Sequence, residues 1–318
     1  MDAILNDENM DNGLSILDLA TVPIEDIIEE NQAKKKEKLY SLWMDYGKDY
    51  VPAVNLQTCE KLPSGIYKVK EDRDGIHFRP TTVETDELYN FSDSFTDVIM
   101  KEVKDFWNKK DLYKQFNIVH KRGLLLEGSP GCGKTAAIAL LVNDLLANDG
   151  LVFLINNLKD FDNLYDNLSG VVRKIEPERP VITIIEDVDK LVDAMGTDAP
   201  LLDLLDGKVS IDHHLVIMTS NDTSSLSTAL LRPSRIDMRF VVEPPTEQTR
   251  REFFEKKKVD TELIDELVEV TDGMSFAQLK ELFIGVTILG KDPETVAAQV
   301  LDPNASKDYL NKAKTIGL

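Results

Sequence analysis

Four short apolar runs stand in the middle of the chain, at 123–126, 151–155, 181–185 and 215–219, and a weaker one follows at 240–242. Each reads as a strand. Between the first three lie segments with helical spacing, at 135–147 and roughly 158–175. Short strands that are apolar on both faces and alternate with helices predict a parallel sheet covered on both sides. The strands stop at Pro244-Pro245. Beyond them the spacing is helical, with Leu263, Leu267 and Val270 as an example, which predicts a separate helical unit.

The first third of the chain is less regular. Ile66-Tyr67-Lys68-Val69-Lys70 alternates as a strand does, between a turn at Pro63-Ser64-Gly65 and a second turn at 71–75. Ile76-His77-Phe78 follows, so the stretch predicts a β-hairpin. Phe95, Ile99, Val103 and Phe106-Trp107 lie at helical spacing and predict an amphipathic helix, or a pair, over 91–116. Leu39, Leu42 and Trp43 predict a helix over 25–47. Residues 1–30 hold nine acidic side chains and no Lys or Arg. They read as a solvated tail or as a docking motif that folds on a partner. The expected organisation is a tail at 1–30, a helix and hairpin region at 31–90, an α/β core at 91–244 and a helical unit at 245–318. No internal repeat is visible.

Charge narrows the partners. With 57 acidic and 37 basic residues the net charge is −20. An acidic surface repels phosphate backbones and anionic lipid, so nucleic acid is a disfavoured partner. No apolar run approaches the ~18–20 residues that span a bilayer, and the first residues lack the basic start of a signal peptide. The expectation is a cytoplasmic protein. The two cysteines, Cys59 and Cys132, form no CxxC pair. The neighbours His213 and His214 read as a polar strand entry, since no ligand spacing supports zinc.

The chemistry begins at Gly128-Ser129-Pro130-Gly131-Cys132-Gly133-Lys134-Thr135, which fits GxxxxGK[ST] between a predicted strand and a predicted helix. The glycines let the backbone turn its N–H groups inward onto phosphates. The helix N-terminus adds its positive dipole end. Lys134 is expected at the β- and γ-phosphates of ATP, and Thr135 at Mg²⁺. Cys132 reads as an inert loop residue.

About fifty residues on, the strand 181–185 ends in Glu186-Asp187-Val188-Asp189. A buried strand ending in carboxylates suits metal binding and water activation. The usual order in P-loop ATPases is Asp then Glu; here it is reversed. We assign Glu186 to Mg²⁺, through water, and Asp187 to the attacking water. The alternative puts Asp187 on the metal and leaves Glu186 structural. Asn221 ends the strand 215–219 and is a candidate for the γ-phosphate or the water. Arg232 and Arg235 follow in a short polar segment after a helix. Arginines there either cross to a neighbouring subunit's nucleotide or pair with acids of their own chain.

From about residue 91 to 318 the chain resembles the AAA clade of AAA+ ATPases. Ala229-Leu-Leu-Arg232-Pro-Ser-Arg235-Ile-Asp237 looks like that clade's second region of homology, ALLRPGRxD, with Ser234 in the glycine's place. The Glu-Asp order, with the residues leading into the phosphate loop, is most similar to the mitochondrial ATPases that translocate the folded Rieske iron–sulfur protein. It is equally similar to soluble, mostly uncharacterised microbial and phage ATPases. Asp272-Gly-Met-Ser-Phe-Ala277 resembles the start of the clade's lid helix. No arginine sits at its head, so no lid-borne sensor arginine is expected.

The resemblance implies a P-loop αβα core of five strands with a helical lid, and a homo-oligomeric ring, usually a hexamer, with ATP and Mg²⁺ at each boundary. It implies work on a protein partner, by remodelling or translocation. An ATP-gated assembly factor is the alternative, and a nucleic-acid motor or loader fits less well. Phe161 and Tyr165 fall where a pore loop is expected, without the aromatic–hydrophobic–Gly triplet of many unfoldases.

Overall fold

The computed structural model describes residues 40–45, 50–54, 59–72, 75–82, 91, 95–157, 160, 164, 167–206 and 211–302. The tail at 1–30, Phe161 and Tyr165 lie outside them. The chain divides into two units, Met1–Glu60 and Lys61–Leu318.

In the first unit β1 (Tyr40–Asp45) pairs antiparallel with β2 (Tyr50–Val54), with Trp43 opposite Pro52 and Met44 opposite Val51. The helix expected over 25–47 is thereby corrected at 40–45. Leu39, Leu42 and Trp43 fit a helical period, but Tyr40, Leu42 and Met44 fit a period of two equally well. Tyr40 and Trp43 on one strand and Val51 and Val54 on the other are residue types that favour strands.

In the second unit the sheet has the order β4-β3-β6-β7-β8-β5-β9. Its strands are β3 (Gly65–Asp72), β4 (Gly75–Thr81), β5 (Lys121–Glu127), β6 (Leu151–Ile155), β7 (Val181–Ile185), β8 (His214–Ser220) and β9 (Met238–Val241). The five from β6 to β9 are parallel, as the apolar runs predict. The hairpin β3–β4 extends them, because Gly65, Ile66 and Tyr67 pair parallel with Leu151, Val152 and Phe153. The sheet is thus wider than the five strands expected. Arg179 fastens the hairpin's entry: it is paired with Glu176 and bonds the carbonyl of Leu62, while the Leu62 N–H donates to Glu176 at 2.8 Å.

Alternation along each strand feeds two cores. Leu125, Phe153, Ile185, Val216 and Met218 face one side, with Leu201, Leu204 and Leu205 of α5 (Ala199–Asp206). Leu124, Leu126, Val152, Leu154, Ile184 and Ile217 face the other. There they meet α1 (Phe95–Asn108) through Ile99, Val103 and Phe106, and α3 (Lys134–Ala147) through Ile138, Leu141 and Leu145. The short α2 (Lys110–Gln115) follows α1, so the amphipathic stretch is a helix pair. Of the helix expected at 158–175, residues 160, 164 and 167–175 are described, with 168–172 as one π turn and 173–175 as a short α turn.

The helical unit has a core of its own. It comprises α6 (Glu247–Lys256), α7 (Thr261–Val270), α8 (Phe276–Phe283) and α9 (Pro293–Leu301). Each start is capped by a short polar side chain: Thr246, Asp260, Ser275 and Asp292. Ser275 and Gln278 cap reciprocally. Phe253, Phe254, Leu267, Leu279 and Leu282 fill the centre, and Phe91 packs with them from far upstream. No described helix is long and apolar enough to cross a membrane.

Candidate nucleotide site

The parallel strands deliver their C-terminal ends to one edge, where Glu127 stands opposite Ser220 and Ile185 opposite Met218. The three segments that follow, from Gly128, Glu186 and Asn221, therefore meet. Ligands of open α/β sheets bind at this edge. A cleft of about 1380 Å³ lies there, walled by the phosphate loop, the acid pair, Asn221 and the helical unit.

Gly131 and Gly133 have φ of +79° and +98°, the left-handed region that a side chain resists. The turn they make leads into α3, whose fourteen residues aim their N-terminal N–H groups at the cleft. Gly131 is also a contact point: its carbonyl accepts from the Ala277 N–H at 3.4 Å, so the head of α8 rests on the phosphate loop.

Lys134 is buried, and its ammonium donates to the carbonyl of Ser129 at 3.1 Å, to that of Gly128, and to Asn221 Oδ1 at 2.8 Å. Burial pulls its pKa below the usual lysine value, opposed by Cys132, Asp187 and Asp189. Asn221 passes the contact on, since its Nδ2 donates to Asp187 Oδ1 at 3.1 Å. Thr135 Oγ1 donates to Glu186 Oε1 at 3.4 Å. The cation, the strand-end amide and Asp187 form one chain of hydrogen bonds, and Thr135 and Glu186 form a second pair beside it.

Asp187 holds φ of +49° at the N-cap position of α4 (Val188–Met195), where its side chain makes no capping bond. Its N–H donates to Thr219 Oγ1 at 2.9 Å. Strained backbone of this kind concentrates at functional sites. Two contributors were missed from the sequence. Asp189 is buried and receives the backbone N–H groups of Asn221 and Asp222, at 3.4 and 3.3 Å, which fixes the strand end. Lys190 reaches Asp187 Oδ2 at 2.6 Å. The other wall is aromatic: Phe91 and Phe276 stack at 5.2 Å, with Phe253 beside them. No motif announces it, and only the fold unites residues so far apart.

Residues 124–244, which hold all of these segments but the lid and Phe91, match the sequence model of the ATPase family associated with various cellular activities, AAA. This segment is thus similar to an AAA ATPase domain. A ring-forming AAA ATPase of Corynebacterium kroppenstedtii is 32 % identical over 186 residues, 51 % of this chain and 32 % of that one. The mitochondrial chaperone BCS1 of Bos taurus is 27 % identical over 210 residues, 59 % of this chain and 49 % of that one. The ATP-dependent zinc metalloprotease FtsH 1 of Symbiobacterium thermophilum is 26 % identical over 257 residues, 74 % of this chain and 41 % of that one. The chain spans less than half the length of each of these relatives.

Arg232 and Arg235, within the matched segment, are not among the residues lining the cleft. Arg235 is clasped by both carboxylate oxygens of Asp206, with Nε 2.7 Å from Oδ1, and donates to the carbonyl of Ala229. Arg232 is exposed. The segment before them is a single 3-10 turn, Thr223–Ser225, followed by further turns, and not the helix expected. Ser234 has φ of +79°, a glycine's conformation, where the resembled motif has glycine.

Cys132 is buried, and burial pushes its thiol up, which keeps it protonated. His213 and His214 are buried as well. His214 Nε2 bonds Thr183 Oγ1 at 2.9 Å and His213 Nδ1 lies 3.0 Å from His120 Nδ1. Among the described residues no group of three His, Cys, Asp or Glu is placed to hold a metal.

Proposed function

We propose that the protein hydrolyses ATP as a homo-oligomeric ring and uses the cycle to remodel or translocate a protein partner. The chain Lys134–Asn221–Asp187 carries the reading, because it joins the cation that meets the terminal phosphate to an acid that can take a water's proton. An incoming γ-phosphate replaces the carbonyl contacts of Lys134 and draws Asn221 with it.

Mg²⁺ fits the residues present. It needs only one or two protein oxygens beside phosphates and water, and Thr135 and Glu186 offer two hard ones side by side. A bound Mg²⁺ neutralises charge on the phosphates. Glu186 then serves the metal and Asp187 the water, in keeping with the separate contacts of the two acids. Gly128, Ser129, Pro130, Gly131, Cys132 and Gly133 supply the cradle, and Arg232 and Arg235 act on a neighbouring subunit's nucleotide. Work on a protein is supported by relatives named as a chaperone and a protease, and the ring by relatives named for ring-shaped complexes.

Lys134→Ala should lose ATP binding in calorimetry with its melting temperature kept, and Asp187→Asn should bind ATP without turnover. The trapped Asp187→Asn assembly, used as bait, should retain a protein that ADP releases. Near-native ATP affinity in Lys134→Ala would sink the nucleotide assignment, and normal turnover in Asp187→Asn would sink the role of Asp187.

A further inference from the structure

Asp187 is gripped on both oxygens. Asn221 Nδ2 donates to Oδ1 at 3.1 Å and Lys190 Nζ donates to Oδ2 at 2.6 Å. Lys190 stands on the first turn of α4, three residues after Asp187. The helix buries Val188, Leu191 and Val192 against the core, so Lys190 projects the other way, into the cleft. Its side chain is 69 % exposed. An ion pair so open to water adds little to stability. The fold does not need Lys190; among the described residues its side-chain hydrogen bond goes to the acid beside Glu186.

We propose that Lys190 is a positioning residue for phosphoryl transfer, holding with Asn221 the plane of the Asp187 carboxylate so that a fixed lone pair faces the attacking water. The inference rests on the reading that Asp187 orients that water. An aspartate is one methylene shorter than the glutamate usual at this place. Its carboxylate turns about a broad, weakly restrained torsion. The left-handed backbone at Asp187 sets where the group sits, and the two donors set how it is turned. Orientation of this kind is where a reaction gains or loses rate without any change in substrate affinity.

The test compares Lys190→Ala and Lys190→Arg with the native full-length protein. It reads kcat and KM for ATP, melting temperature, and calorimetric affinity for ADP alone and ADP with aluminium fluoride, a mimic of the transferring phosphoryl. Lys190→Ala should lower kcat by about tenfold, the scale expected of a misoriented group. KM, melting temperature and ADP affinity should stay within twofold or a few degrees. Affinity for ADP with aluminium fluoride should fall by a factor close to that in kcat. Lys190→Arg should restore most of both, and Lys190→Ala should cost nothing further in an Asp187→Asn background. Unchanged kcat in Lys190→Ala would overturn the proposal, as would a failure of arginine to rescue. A parallel loss of ATP affinity would also overturn it and make Lys190 a phosphate ligand instead. If Asp187→Asn itself turns over normally, the reading of Asp187 fails and the proposal with it. If Asp187→Asn is dead and Lys190→Ala is native, the Lys190 assignment alone fails.

Discussion

Gly123 lies so tightly beneath Arg235 that a Cβ on it would stand 1.7 Å from the Arg235 carbonyl oxygen. The contact is braced by Asp237, whose N–H donates to the Gly123 carbonyl at 2.9 Å while its carboxylate accepts the Gly123 N–H at 3.0 Å. The strand that ends in the phosphate loop is thus pressed on the segment that carries the arginines. Gly123→Ala must push backbone aside. It should lower stability by about 2–3 kcal/mol, read as an earlier urea midpoint, and should lower turnover more than ATP affinity. A midpoint equal to the native one would mean that the two segments are not in register as described.

Ser234 occupies a conformation that costs an L-residue about 1 kcal/mol. Its N–H donates to Asp237 Oδ1 at 3.1 Å, a bond that glycine keeps. Ser234→Gly should therefore raise the urea midpoint with an unchanged slope, by a stability gain of about 1 kcal/mol. Loss of stability in that variant would remove the assignment of strain at this turn.

Three buried histidines set a pH dependence. Burial is the largest influence on His120, His213 and His214 and lowers all three, His214 most strongly. An unfolded histidine takes its proton near pH ~6.5, whereas these take theirs lower in the folded state. Between those values the unfolded chain binds more protons, so stability falls as pH falls. The stabilisation is complete above the unfolded value and is lost on acidification below it. Urea midpoints should drop from pH 7.5 to 5.5, before carboxylates contribute, and His120→Asn should flatten that drop. A flat native profile over this interval would contradict the burial of the cluster.

Arg232 and Arg235 are proposed to work across a subunit boundary. Each Arg→Ala variant should bind ATP and turn over poorly, with a loss of about 10³-fold or more for a group that stabilises phosphoryl charge. Specific activity should fall on dilution. A Lys134→Ala subunit keeps both arginines, and an Arg235→Ala subunit keeps its phosphate loop, so mixed rings should recover part of the activity. A stable monomer with full activity that either substitution abolishes would place the arginines in their own subunit's site.

What the sequence disclosed follows physical lines. The parallel strands were legible because each is short, apolar on both faces and bounded by helical spacing. The phosphate loop was legible because its chemistry demands glycines and a lysine at fixed spacing. The hairpin was visible as a hairpin. Its place in the sheet was not, since pairing with Leu151–Ile155 is set by packing some eighty residues away. Tyr40–Asp45 is six residues long, too few to separate a period of two from one of 3.6. Asp189 and Lys190 were in plain view beside the acid pair. Their contacts, through backbone N–H groups and across one helical turn, carry no motif. The clasp of Asp206 on Arg235 was one of many acid partners the composition allowed.

Phe91 lies in sequence between the β3–β4 hairpin and the parallel strands yet is buried in the core of the helical unit, stacked on Phe276. That unit is also joined to the sheet at Pro244-Pro245 and begins its first helix at Glu247. A body tethered at one point swivels freely, whereas one held at two turns only about the line between them. The lid is accordingly a door on two hinges, and the head of α8, resting on Gly131, is its latch. Whatever swings the door also hauls on the chain at Phe91, upstream of the phosphate loop. Any movement of the lid is in this way passed to the chain on both sides of the parallel strands, at Phe91 and at Pro244-Pro245.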